Sequence, residues 1–256
     1  MADEIDYKII GNDIQVVEIE LDPGEGVQAE VGAMIYMGEG IDMDTGMGGG
    51  GLFGGLKKAV KRSLAGESFF ITTFVHGGQG KGKVGFSAPY PGQVLPVDLK
   101  DQGGELLCQK DSFLCAAAGI EITLALTKKI GAGLFGGEGF ILQKLIGDGL
   151  AFLHAGGTVI EWNLEEGETV RIDTGCLVAM NSSVDYDIQF VKGIKNALFG
   201  GEGLLLAKLT GPGNILVQSM PFSRLADRLA SAMNLNTKLG GAAAAGGVIG
   251  ELLDRR

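Results

Sequence analysis

One phrase occurs three times in this chain, and repetition at a spacing of tens of residues constrains the fold before any composition is counted. Gly137-Glu138-Gly139-Phe140-Ile141-Leu142-Gln143-Lys144-Leu145 recurs as Gly201-Glu202-Gly203-Leu204-Leu205-Leu206-Ala207-Lys208-Leu209. A divergent copy stands earlier as Gly66-Glu67-Ser68-Phe69-Phe70-Ile71-Thr72-Thr73-Phe74. A set of similar units is therefore expected.

The similarity extends on both sides of the phrase. Each copy opens on an alternating segment: Val16-Val17-Glu18-Ile19-Glu20-Leu21, Val94-Leu95-Pro96-Val97-Asp98-Leu99 and Val159-Ile160-Glu161-Trp162-Asn163-Leu164. Alternation at period two belongs to a strand with one buried face. Polar turns follow, as in Asp22-Pro23-Gly24-Glu25-Gly26 and Glu165-Glu166-Gly167-Glu168. A second shared phrase precedes the first: Gly51-Leu52-Phe53-Gly54-Gly55, Gly133-Leu134-Phe135-Gly136-Gly137 and Ala197-Leu198-Phe199-Gly200-Gly201. Each copy closes on a return strand, Val84-Gly85-Phe86, Leu150-Ala151-Phe152-Leu153 or Ile215-Leu216-Val217-Gln218. The 45 glycines follow no Gly-X-Y period and gather between apolar runs, where they supply turns between short strands.

The expected fold is all-β, with three tandem units of small-sandwich or jelly-roll type at 1–88, 89–156 and 157–222. The interval from Glu67 to Glu138 differs from that between Glu138 and Glu202, which suits three units closed about a pseudo-threefold axis better than an open solenoid. Two segments stand outside this plan. The insert 56–65 places Leu56, Val60 and Leu64 on one helical face and Lys57, Lys58, Lys61 and Arg62 on the other. The segment 223–256 begins with Ser223 as a helix N-cap, carries an apolar stripe at Leu225, Leu229 and Met233, and ends in a Gly/Ala-rich tail.

A net charge of -10 weighs against a general nucleic-acid binder, which needs cationic surface to release counterions from phosphates. Cys108, Cys115 and Cys176 have neither an even count nor metal-type spacing, so buried thiols in a reducing compartment are expected. The acidic start lacks the order of a signal peptide, and no apolar run reaches the length of a spanning helix. A cytoplasmic protein, peripheral at the membrane, is the expected location.

The motifs that could carry chemistry are weak. Gly80-Lys81-Gly82-Lys83-Val84-Gly85 and Gly131-Ala132-Gly133-Leu134-Phe135-Gly136 match G-x-G-x-x-G, yet neither stands between a strand and a helix. His76 and His154 sit at nearly corresponding ends of copies one and two, with Gln218 or Ser219 in copy three and no acidic or thiol cluster beside them. Glu67, Glu138 and Glu202 either accept backbone hydrogen bonds in glycine-flanked turns or gather into a carboxylate ring. The pairs Leu52-Phe53, Leu134-Phe135 and Leu198-Phe199 either plug each unit or form apolar tips that mark a contact site. No catalytic, metal or cofactor residue is expected.

Gly-Glu-Gly-Leu-Leu-Leu-Ala-Lys-Leu-Thr-Gly-Pro-Gly near the end, with Gly-Glu-Gly-Phe-Ile-Leu-Gln-Lys-Leu-Ile-Gly-Asp-Gly in the middle, resembles the family of altered inheritance of mitochondria protein 24. The likeness spans about 12–225, is most specific at 200–213, and points to a prokaryotic member. It implies a trimmed double-stranded β-helix unit like that of the trp RNA-binding attenuation protein, present three times, and chains that associate further.

The leading functional expectation is a non-enzymatic scaffold that contacts a membrane surface or a partner protein. Its interaction residues would be Leu52, Phe53, Leu134, Phe135, Leu198 and Phe199 together with Lys57, Lys58, Lys61 and Arg62, since an apolar stripe beside a basic face suits anionic headgroups. A small-ligand or nucleic-acid binding module is the alternative, by fold analogy alone.

Overall fold

A computed structural model describes residues 1–30, 32–44, 71–128, 140–191 and 204–232. From the segment 1–88 come β1 (Asp6–Ile10), β2 (Val16–Leu21), β3 (Gly26–Glu30), β4 (Met34–Met37), β5 (Ile41–Asp44), β6 (Ile71–His76) and β7 (Gly82–Phe86). From 89–156 come β8 (Gln93–Asp98), β9 (Glu105–Gln109), β10 (Phe113–Ala117), β11 (Glu121–Lys128), β12 (Phe140–Ile146) and β13 (Leu150–Ala155). The rest supplies β14 (Val159–Leu164), β15 (Thr169–Asp173), β16 (Leu177–Asn181), β17 (Asp185–Val191), β18 (Leu204–Thr210), β19 (Gly213–Gln218) and one helix, α1 (Phe222–Ala232). The all-β expectation is met. Strand β1 is an addition, and α1 starts at Phe222, so Ser223 lies in its first turn rather than at the cap.

The strands form four antiparallel sheets, and the two central ones cross the boundaries drawn from the sequence. The first sheet is β1-β2-β7-β4 and the second is β5-β6-β3-β10-β13-β8. The third is β11-β12-β9-β16-β19-β14 and the fourth is β15-β18-β17. The second sheet is joined at β3 and β10, with Ala29 opposite Cys115, Gln28 opposite Ala116 and Val27 opposite Ala117. The third is joined at β9 and β16, with Cys108 opposite Ala179, Leu107 opposite Met180 and Leu106 opposite Asn181. Among the described residues neither β4 nor β15 has a strand on its outer side.

The same local irregularity appears at three places. Pairing slips by one residue between Met34 and Tyr36 against β7, between Phe113 and Cys115 against β13, and between Leu177 and Ala179 against β19. A bulge places two residues opposite one and fixes register, so it provides a marker for aligning the strands. The polar turns also correspond: Glu25 accepts from Asp22 N at 2.8 Å, and Glu168 accepts from Glu165 N at 2.9 Å. Gly24 and Gly167 occupy these turns at φ 95° and 77°, a region open to glycine without strain.

On β2 burial follows the alternation read from sequence: Val17, Ile19 and Leu21 are buried while Glu18 and Glu20 lie on the outer face. On β14 it does not, since Ile160 and Trp162 are exposed and only Leu164 is buried. Phe74 and Phe86 meet edge to face across the first two sheets, with centroids 5.3 Å apart. Phe152, wholly buried, receives the Tyr7 ring at 4.9 Å, which anchors β1. Strand β9 feeds two cores from its two faces: Leu106 and Cys108 pack in the core reaching the first sheet, Leu107 in the core shared with the fourth. The first and fourth sheets thus terminate the series on separate cores.

Candidate interaction surface

The ten expected interaction residues, Leu52, Phe53, Lys57, Lys58, Lys61, Arg62, Leu134, Phe135, Leu198 and Phe199, lie outside the described residues, as do Glu67, Glu138 and Glu202. Their flanks are informative. The three segments join β5 to β6, β11 to β12 and β17 to β18, and each of these is an antiparallel pair. In the last two the pairing runs to the strand ends, with Lys128 opposite Phe140 and Val191 opposite Leu204.

The other candidates read from sequence have structural roles. His76 is buried at the end of β6, with Nδ1 3.1 Å from Gly40 O and Nε2 3.0 Å from Gly80 O, so its ring fastens two loops. His154 ends β13, a strand that aligns with β7 and β19 rather than with β6, so the two histidines do not correspond. Its counterpart by register is Gln218, which accepts from Gly156 N at 2.8 Å and donates to Gly175 O at 3.0 Å. His154 packs edge-on against Tyr90 at 4.5 Å, and burial pushes it down to about 4. The three thiols are free and buried; burial raises Cys108 and Cys115 far above the ordinary thiol range and Cys176 to about 11. Among the described residues no group of three or more His, Cys, Asp or Glu is placed to hold a metal ion. Gly80 to Gly85 runs from a turn into β7, with no helix after it.

The feature that sequence reasoning missed is the open edge of the first sheet. On its outer face Lys81 bridges Asp6 at 3.0 Å and Glu20 at 2.7 Å, while Lys83 meets Glu18 at 2.8 Å. Tyr36 reaches from β4 across Gly85 to donate its hydroxyl to Glu18 at 2.6 Å. That bond pushes the Tyr36 phenol up to about 12, and the bonds from Lys83 and Tyr36 hold Glu18 below the usual carboxylate range. The ladder fixes the face of the sheet but leaves its edge unpaired.

Alignment at the bulges makes Ile35, Tyr36 and Met37 the counterparts of Leu114, Cys115 and Ala116 and of Val178, Ala179 and Met180. The β4 residues are 51%, 40% and 43% exposed, whereas all six counterparts are at or below 2%. The difference has one cause: β10 and β16 have a strand on both sides, and among the described residues β4 has one only on the β7 side. Among the eight edge strands of the described sheets, β4 is the one with neither a charged residue nor a proline. Edge charges and prolines are the usual guards against strand addition.

These features define an all-β protein of antiparallel sheets, two of which draw strands from successive stretches of the chain, with one apolar strand edge left open among the described residues. The chain belongs to the family described as Mitochondrial biogenesis AIM24, which matches residues 7–220. An uncharacterized protein of Streptococcus pyogenes serotype M6 is 31% identical over 217 residues, covering 84% of this chain and 85% of that protein. The X-ray crystal structure of another Streptococcus pyogenes protein is similar with a TM-score of 0.71 at 27% identity, over 90% of this chain and all of that one. The expectation drawn from residues 200–213 is met in these bacterial relatives. No helix among the described residues is long and apolar enough to cross a membrane.

Proposed function

We propose that the chain is a non-enzymatic scaffold that presents its Leu-Phe segments to a membrane surface or to a partner protein. The observation that carries this reading is the placement of the three segments. Each interrupts an antiparallel pair at the corresponding place in the strand order, β5 to β6, β11 to β12 and β17 to β18. One rigid sheet series therefore supplies three attachment points for the same short apolar phrase. Rigid elements that carry variable connecting segments are the common way a fold displays a binding surface.

The first segment adds Lys57, Lys58, Lys61 and Arg62 to the apolar phrase, the combination that attracts anionic headgroups while seating apolar side chains. The buried histidines and thiols leave the described strands as framework. Flotation with anionic and neutral vesicles, at low and high salt, tests the lipid branch. The wild type is expected to float with anionic vesicles at low salt, and Lys57/Lys58/Lys61/Arg62→Glu is expected to stay at the bottom. Equal behaviour of both proteins would remove lipid and leave a protein partner.

A further inference from the structure

Building on the proposed membrane contact, we infer that the protein meets a lipid bilayer end-on, through the β1–β2 tip and α1, with its acidic turns pointing away. Hydrogen bonds between strand ends show which elements share that end. At the tip, Gln15 N donates to Gly92 O at 3.0 Å, and Val94 N donates to Gln15 Oε1 at 2.7 Å, at the start of β8. Gln93 Nε2 donates to Gly157 O at 3.4 Å in the turn before β14. Met220 N, at the foot of α1, donates to the neighbouring Gly156 O at 3.1 Å. Phe222 packs on Tyr90 with ring centroids 5.1 Å apart, and Arg224 bridges Asp173 at the end of β15 at 2.9 Å. The tip, the start of β8, the turn before β14 and the root of α1 therefore stand together.

The Leu-Phe segments leave from the same end. Strand β6 begins with Ile71 opposite Glu30, the last residue of β3. Likewise, early β12 and β18 face the last residues of β9 and β15, with Leu142 opposite Gln109 and Leu206 opposite Asp173. The polar turns that precede β3, β9 and β15 close the other end of the same strands, and there Asp22, Asp101, Glu165 and Glu166 are exposed. Those turns carry no exposed large apolar side chain, whereas Ile10, Ile14, Met220, Phe222 and Leu229 all lie exposed at the tip and along α1.

Both protrusions are shaped to present these residues. A Cβ at Gly11, which sits at φ 97°, would run into the Ile14 carbonyl, so the tip is a tight turn, and it leaves Ile14 62% exposed. On α1, Phe222, Leu225 and Leu229 share one side of the helix, while Arg224, Asp227 and Arg228 share the other. That division suits a helix lying in the headgroup boundary. Lipid fits better than a protein because the apolar residues stand on separate protrusions. A fluid apolar phase seats each of them, whereas a protein would need a complementary pocket for every one. Asp13 beside Ile14 and Asp227 on α1 limit the pull of anionic headgroups, so apolar seating carries the contact and the basic residues of the first Leu-Phe segment add the attraction. The acidic turns hardly oppose it: β2, with 6 residues, spans about 20 Å, roughly twice the screening length of about 8–10 Å at physiological salt.

The test places a polarity-sensitive fluorophore on three separate variants, Ile14→Cys, Leu229→Cys and, at the opposite end, Glu166→Cys. The native thiols are buried and do not take the label. Each protein is mixed at low salt with vesicles of phosphatidylglycerol and phosphatidylcholine, read for emission and then floated. All three are expected to float, with emission moving to shorter wavelength for the labels at 14 and 229 and staying unchanged at 166. Ile14→Asp, at a position already exposed, is expected to weaken vesicle binding about tenfold, as withdrawal of one such side chain from hydrocarbon requires. Flotation without a shift at 14 and 229, or with an equal shift at 166, would overturn the end-on contact while the membrane contact stood through another face. Absence of flotation would overturn both and leave a protein as the occupant of the apolar end.

Discussion

Acidification loads a proton onto His154 against the fold, and the size of that effect follows from its surroundings. The side chain is 2% exposed, its Nδ1 has no hydrogen-bond partner, and its ring stands at 90° to Tyr90. Removing the ring from water disfavours the charged form and lowers the pKa from 6.5 to about 4. A group whose folded value is depressed adds stability above its unfolded value and loses it as pH falls towards the folded one. The window is therefore 6.5 down to about 4. At 1.36 kcal/mol per pH unit, the loss by the bottom of that window is about 3 kcal/mol. His154→Gln, which installs the residue found at the counterpart position Gln218, removes this dependence. Urea unfolding of both proteins near neutral pH and near the bottom of the window isolates it, because every other titrating group is common to the two. The wild type is expected to lose about 3 kcal/mol more than the variant. Parallel losses would refute the account of His154 as a neutral ring held in an apolar site.

Two further outcomes are expected from the same structure. Gly85→Ala places a Cβ within 2.4 Å of the Tyr36 ring, so the ring must swing away and its bond to Glu18 is lost. Ultraviolet titration should then show the Tyr36 phenol falling from about 12 towards its ordinary value of 10.0, and an unchanged titration would mean that the bond survives. The three buried thiols should resist a thiol reagent at mildly alkaline pH and react together on unfolding, because burial holds each above the range where thiolate forms. Rapid labelling of Cys108 or Cys115 in the native protein would show that the cores are open to solvent.

Much of the strand content was legible because period-two alternation reports which face of a strand is buried. The segments at Val16, Val94 and Val159 became β2, β8 and β14, and the returns at Val84, Leu150 and Ile215 became β7, β13 and β19. Alternation reports faces, not partners. Nothing in Leu106-Leu107-Cys108 announces that β9 joins a strand from the following segment, so sheets that cross the drawn boundaries stayed invisible. Strand β1 was missed because Asp6-Tyr7-Lys8-Ile9-Ile10 stands before the first repeated segment and has no copy elsewhere in the chain to draw attention to it. The open edge was unreadable for a related reason: Met34-Ile35-Tyr36-Met37 looks like any apolar strand until its counterparts are seen to be covered. The absence of charge and proline from β4, set against every other edge, was the available signal.

Flotation of the wild-type chain with anionic and neutral vesicles, at low and high salt, tests the proposed membrane contact most directly. The account predicts flotation with anionic vesicles at low salt that is lost at high salt. A protein that stays at the bottom with every vesicle and at every salt concentration would contradict that contact.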